Sequence, residues 1–168
     1  QLEPLPLRHV DTGMGFERLV RVLQKKHSNY DTDIFTGTLA SIAAITGKSY
    51  SGTETGKTDI AFRVIADHIR AICFTIADGQ LPANTGAGYV IRRILRRAVR
   101  YYYSYLGQQV PLLYQLVKGL GIQFEHVFPE LHQQESFVTR VIREEEEAFL
   151  RTLDKGLKIF NEYIENGA

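Results

Sequence analysis

The sequence predicts a mostly α-helical fold, a helical bundle preceded by one short strand–helix unit. Three observations predict it. Apolar residues recur at helical spacing, most regularly as Ile65, Ile69, Ile72 and Ile76. Residues 131–164 keep a helical pattern for about nine turns with no proline. Strand-like patterning is nearly absent beyond Arg8 to Thr12.

The elements follow in order. Val10 to Leu19 runs from a β-branched segment through Gly13 and Gly15 into an amphipathic helix, with Arg18 one turn in. Phe16, Leu19, Val20, Val22 and Leu23 carry its apolar stripe to about Lys26. His27 to Asp31 is a polar break. Asp31 or Thr32 is the expected N-cap of a second helix through about Thr46, and Gly47 its stop. Residues 48–58 read as a loop and as the boundary between two parts, 1–50 and 51–168. Thr58 is the expected N-cap of the isoleucine-rich helix, which Asp78-Gly79 ends. A connector with Pro82 and Gly86 leads to a basic helix that runs to about Leu106, with Gly107 as stop. A shorter helix is expected within 110–121, then the long final one.

Composition narrows the classes. A length of 168 residues, 44% hydrophobic and 23% charged, suits a folded globular chain with its own core. The only methionine is Met14, so the chain reads as an excerpt of a longer protein. No apolar run approaches the ~18 residues of a membrane span. The lone Cys73 rules out an internal disulfide framework and fits a reducing, cytoplasmic setting. The net charge is +1, so any nucleic-acid role must rest on where charge is placed.

That placement is uneven. Arg92, Arg93, Arg96, Arg97 and Arg100 fall within roughly 140° of arc at ~100° per residue, with no acid between them. Ile91, Ile94, Leu95, Ala98 and Val99 take the other side. Clustered guanidinium groups repel one another, and a polyanion relieves that repulsion with forked hydrogen bonds to phosphate. Tyr101, Tyr102, Tyr103 and Tyr105 follow and could stack on bases. The alternative is a structural helical module whose arginines pair internally with Glu144 to Glu147. Those glutamates read as a solvated or arginine-paired face, since four in a row spread around one helix.

At the start of the chain, Gly13 and Gly15 let backbone approach a ligand, and a helix N-terminus with Arg18 suits an anion, so this stretch reads as one wall of a nucleotide site. Gly52 to Thr58 is one residue short of a phosphate loop and lacks a feeding strand, so it reads as a loop plus cap. Asp67 and His68 read as structural or as part of a surface network with Arg63 and Arg70. The histidines show no metal-ligand spacing, and Cys73 sits at a core position. Asn84, in the connector, is either a turn residue or an amide that reads a base edge.

Three stretches taken together resemble one family. Val10-Asp-Thr-Gly-Met-Gly-Phe-Glu-Arg-Leu19 is similar to motif 3 of class II aminoacyl-tRNA synthetases, in the form used by the alanyl-tRNA synthetase family. Ser28-Asn-Tyr-Asp-Thr-Asp-Ile-Phe35 resembles the segment that follows it. Arg63 to Arg70, Asp78-Gly79 through Asn84, and Gly88 to Ala98 resemble that family's helical tRNA-recognition region, and the long last helix is similar too. The resemblance implies a remnant of the catalytic domain over 1–50 and a helical tRNA-recognition domain over 51–168. It implies that alanine is activated with ATP and Mg²⁺ and then transferred to alanine tRNA. Arg18 is the residue matched to ATP phosphate, Gly13 and Gly15 to nucleotide access, and Asp11 to the alanine ammonium group. Asn84 is matched to the G·U pair of the acceptor stem, and the arginine helix to the stem itself. Motifs 1 and 2 are expected before Gln1. The editing domain with its zinc ligands, where alone zinc is expected, belongs beyond Ala168. The fragment is therefore expected to bind acceptor stem and not to be catalytic alone.

Overall fold

The computed structural model describes residues 12–165. Among them are seven α-helices and no strand, so the chain is mostly α as its apolar spacing predicts. Of the strand expected at Arg8 to Thr12, only Thr12 lies within the described residues, and it is irregular. The chain divides into two compact units, residues 1–36 and 37–168.

In the first unit, α1 spans Phe16–Leu23 and starts at Gly15 with no side-chain cap. The polar break that follows is a built turn. Residues Asn29–Asp31 form a 3₁₀ turn with a reciprocal cap. Tyr30 N donates to Ser28 Oγ at 3.2 Å, and Ser28 N donates to Asp31 Oδ2 at 3.2 Å. Helix α2, Asp33–Thr46, begins in this unit and continues in the second. Of the two expected caps, Thr32 holds the N-cap position of α2, its carbonyl accepting from Phe35 N and Thr36 N at 3.1 Å each. Asp31 closes the preceding turn, and the Thr32 hydroxyl donates to Asn29 O at 2.6 Å. Gly47 ends α2 at φ 65°, as the sequence predicts.

The second unit is built on α3, Lys57–Ala77. Ile65, Ile69, Ile72 and Ile76 are at most 1% exposed and form its core face with Phe62 and Cys73. Each such isoleucine stabilises the fold by roughly 2 kcal/mol relative to leaving it in water. Helix α4, Gly86–Tyr101, packs along α3 and runs into a π-helical turn, Tyr102–Leu106, that stops at Gly107 with φ 71°. A 3₁₀ turn, Leu113–Leu116, leads into α5, Val117–Phe124. The expected long last helix is two. Helix α6, Pro129–Gln133, is separated from α7, Glu135–Glu165, by Gln134. The reason is a tertiary contact: Gln134 Nε2 donates at 2.9 Å to Ala77 O, a carbonyl left without a helical partner at the end of α3. Helix α7 packs against α4, α5 and the 3₁₀ turn before α5.

The loop before α3 corrects another expectation. Gly56, not Thr58, occupies the N-cap position of α3. The helix start is organised by Asp59, which is 2% exposed and accepts four hydrogen bonds. They come from Ser51 N and Oγ at 2.9 and 2.7 Å and from Thr53 N and Oγ1 at 2.6 Å each. Burial alone would raise this carboxyl, but the Thr53 and Ser51 donors outweigh it and hold Asp59 well below the usual carboxylate range. Two amides of this loop, Ser51 N and Thr53 N, are thus already committed to Asp59. Arg63 closes the loop by donating to Thr53 O at 2.9 Å and Glu54 O at 3.0 Å.

Candidate nucleic-acid interface

Helix α4 turns Ile91, Leu95, Ala98 and Val99 into the core. Its five arginines take the opposite side, but not as one uniform face. Arg93, Arg97 and Arg100 are exposed, while Arg92 and Arg96 are half-buried against α7. The division follows helical geometry. Arg92 and Arg96 are one turn apart, and so are Glu145 and Phe149 on α7. Arg92 meets Glu145 as a fork: Nε donates to Oε2 at 3.0 Å and Nη2 to Oε1 at 2.5 Å. The hydrogen bond to Glu145, more than its charge, raises the Arg92 guanidinium above its ordinary value, against the opposing effect of burial. The Arg96 guanidinium lies over the Phe149 ring, 5.1 Å from its centroid, and its buried Nε has no hydrogen-bond partner. Arg97 lies over Tyr101 at 5.7 Å, and Tyr101 meets Tyr105 edge-on at 5.5 Å.

Together these groups line a groove of about 630 Å³. Its walls are Asn84, Tyr89, the five arginines, Tyr101 and Phe149, and no carboxylate lines it. Asn84 reaches the groove because the connector before α4 is folded back on Gly88. Ala83 N donates to Gly88 O at 3.0 Å, and a Cβ at Gly88 would stand 2.3 Å from Leu81 O. Only glycine permits that approach. Arg92 Nη1 then donates to Asn84 Oδ1, so one guanidinium joins the connector to α7. Because arginine is only a donor, the oxygen of the Asn84 amide faces it and the amide nitrogen is left for the groove.

The four glutamates point four ways. Glu144 is exposed, Glu145 holds Arg92, and Glu147 accepts from Arg143 Nε at 2.9 Å. Glu146 is wholly buried. It accepts from Tyr102 Oη at 3.0 Å, from Leu112 N and Leu113 N at 2.8 and 2.7 Å, and from Tyr114 N at 3.0 Å. Burial pushes its carboxyl above the ordinary value, while the four donors pull the other way. So Tyr102 is a core residue and not a base-stacking one; burial first, and then the Glu146 charge, push its phenol up. Tyr103 Oη donates to Asp154 at 3.3 Å. Internal pairing of the arginines with Glu144 to Glu147 thus holds for Arg92 and, among the described residues, for no other arginine of the cluster.

The whole chain, residues 1–168, matches the family model described as "tRNA synthetases class II (A)". The chain belongs to this class II tRNA synthetase family. Relatives include an alanine–tRNA ligase of Cytophaga hutchinsonii, 63% identical over 93% of this chain. Those of Flavobacterium psychrophilum and Bacteroides thetaiotaomicron are 54% and 57% identical over 97% and 95% of it. The chain spans 18%, 19% and 18% of these three relatives, in that order, so it corresponds to about a fifth of each.

In this synthetase chain the predicted site residues Gly13, Gly15 and Arg18 belong to the first unit. Gly13 has open space where a side chain would be, and Gly15 faces only the Arg18 side chain. Arg18 is exposed on the first turn of α1. Asp11 lies outside the described residues. Asp67 and His68 touch, with His68 Nδ1 3.2 Å from Asp67 Oδ2, although adjacent helical residues diverge. Cys73 is buried, as its core position predicts, and burial pushes its thiol up. No described helix is long and apolar enough to cross a membrane. Sequence reasoning missed Tyr89, named Glu145 only as one of four acids that could pair with the arginines, and missed Phe149. The matching one-turn spacings of Arg92/Arg96 and Glu145/Phe149 were the available signal for the last two.

Proposed function

We propose that this chain is part of an alanine–tRNA ligase, a protein that activates alanine with ATP and attaches it to alanine tRNA. In this reading its second unit grips the acceptor stem. The observation that carries the reading is the groove on α4: five guanidinium groups, two tyrosines and an amide, with no lining carboxylate. A surface that offers hydrogen-bond donors and positive charge is suited to phosphate oxygens. Arg93, Arg97 and Arg100 are the phosphate-gripping residues, with Arg92 and Arg96 behind them, and Tyr101 offers a ring at the edge. Asn84 approaches the G·U pair with its amide nitrogen. Residues 1–50 are the catalytic-domain remnant and 51–168 the tRNA-recognition domain.

Gly13, Gly15 and Arg18 fit one part of an ATP site. The start of α1 carries no side-chain cap, and Arg18 is exposed on its first turn, so the positive end of the helix and a guanidinium are both offered to a phosphate. Asp11 is assigned to the alanine ammonium group on sequence similarity. Magnesium belongs to this reading as the companion of the ATP phosphates, and no residue of this chain is assigned to it. ATP supplies the activating chemistry when bound; the chain's part is to hold phosphate. In this reading the 168 residues, which span about a fifth of those relatives, bind stem and do not aminoacylate alone.

The test is a salt series of binding to an alanine tRNA acceptor-stem hairpin. Affinity falls steeply with salt as counterions are released. In the variant Arg93→Gln/Arg97→Gln/Arg100→Gln, the log–log slope drops by roughly one for each phosphate contact removed. The melting temperature stays within a degree or two, because these side chains are exposed. Absence of binding at low salt leaves the helical module a structural one.

A further inference from the structure

We propose that Glu145 is a positioning residue for recognition, holding the Asn84 amide in one orientation through Arg92. The inference rests on the reading of Asn84 given above and adds to it the device that sets which way the amide points. Three groups on three segments form one chain of hydrogen bonds. Glu145, on α7, accepts twice from Arg92, through Nε and Nη2. Arg92, on α4, gives its remaining fork nitrogen Nη1 to Asn84 Oδ1, on the connector. A guanidinium held at two of its nitrogens by one carboxylate cannot rotate, so Nη1 points in a fixed direction.

The consequence lies in the amide. A free asparagine side chain presents oxygen or nitrogen by a half-turn of its terminal torsion, and so reads donors and acceptors alike. With Oδ1 taken by Arg92, Asn84 presents only N–H groups to the groove. It therefore reads acceptor atoms of a base edge and rejects an edge that offers a donor at the same place. Arg92 is thereby removed from phosphate binding: its fork is filled by Glu145 and Asn84, and its side chain is only 21% exposed. Of the five clustered arginines it is the one whose work is internal. This differs from a general structural role, because what it controls is discrimination between partners and not the strength of phosphate contact.

The experiment uses the full-length ligase that carries this chain. Its readout is the ratio of aminoacylation efficiency (kcat/KM) on two acceptor-stem hairpins, one with the G·U pair and one with G·C. Glu145→Gln keeps side-chain size but sets an N–H₂ against an arginine donor, so it breaks the fork. The expected result is a fall of about tenfold in the discrimination ratio. ATP–pyrophosphate exchange does not change, and the salt slope of hairpin binding by Glu145→Gln does not fall. Arg92→Met, which keeps an apolar stem and removes the fork, gives the same fall and covers the case in which Glu145→Gln folds poorly. In an Asn84→Ala background, neither substitution lowers the ratio further, because both act through that amide. If Asn84→Ala collapses discrimination while Glu145→Gln and Arg92→Met leave it intact, Glu145 positions nothing and the Asn84 reading stands alone. If Asn84→Ala itself leaves discrimination intact, the Asn84 reading fails, and this inference with it.

Discussion

Asp59 and Glu146 are both buried carboxylates, and each gathers loose backbone around itself. Asp59 has its pKa held low in the folded chain by donors from Thr53 and Ser51, which outweigh burial. A carboxyl whose folded pKa lies below its unfolded value adds stability above the unfolded value, near ~3.9, and loses it as pH falls toward the folded one. Urea midpoints therefore fall below about pH 4 for the native chain. Asp59→Ala costs about 3 kcal/mol at pH 7, and its deficit shrinks as the pH drops through that window. A deficit that stays constant down to pH 2.5 would show that Asp59 is not ionised in the folded state. Glu146 was legible only as one of four glutamates. Helical geometry spreads four consecutive residues over four directions, and the sequence does not say which direction meets the core. The deciding partners, the N–H groups of Leu112, Leu113 and Tyr114, are 34 to 32 residues away in sequence and are backbone atoms. They carry no signature in residue type. Glu146→Gln puts amide hydrogens against these donors and lowers stability by about 2–4 kcal/mol, read as a shift in the urea midpoint with unchanged slope.

At the scale of elements, the helices were legible where a short-range rule decides them. Gly47, Gly79 and Gly107 end helices at φ 65°, 88° and 71°, and each is a stop that residue type announces. The core face of α4 was equally plain from Ile91, Leu95, Ala98 and Val99. Where a distant partner decides, the reading slipped. Thr58 has the composition of a cap, yet the loop is gathered by Asp59, and Gln134 interrupts the last helix for a carbonyl of α3. The connector before α4 is the case with a functional consequence. Gly88 has no conformational need to be glycine, since its φ is not positive; it is required because Leu81 O and Ala83 stand against it. A methyl group there has to move backbone, at about 2 kcal/mol. Gly88→Ala should displace Asn84 while leaving Arg93, Arg97 and Arg100 where they are. The expected result is loss of G·U over G·C preference with an unchanged salt slope of hairpin binding. A reduced slope with intact preference would mean that the connector supports the arginine face and not the amide.

At the scale of the whole molecule, the candidate interface was legible as chemistry but not as shape. Five arginines on one face of α4 were evident. That two of them lean on α7 required the packing. Helix α7 itself behaves as two bodies in one. From Glu135 to Leu150 it buries Val138, Ile142, Glu146 and Leu150, and it holds Arg92 and Arg96 from behind. From Arg151 to Glu165 every residue is exposed except Leu153, which is half-buried. Leu157, Ile159, Phe160, Tyr163 and Ile164 stand 37–67% exposed there. Tyr103 Oη, donating to Asp154 at 3.3 Å, ties that second half to the π-helical turn at the end of α4. Fifteen residues of helix with so little packing are marginal in water, because each added residue's bond returns only slightly more than its ordering costs, so the segment opens from its far end. In the 168-residue chain the two halves should therefore open independently. Hydrogen exchange is expected to show amides of Leu157 to Ile164 protected at least ~100-fold less than those of Val138 to Leu150, as local opening does not require the core to unfold. Ile159→Pro should remove helical signal and leave the core's melting temperature in place. Equal protection along α7, or a core destabilised by that proline, would mean that the outer half is braced by contacts with the rest of the bundle, and that the wall behind the arginines is one continuous rod rather than a packed segment with a free end.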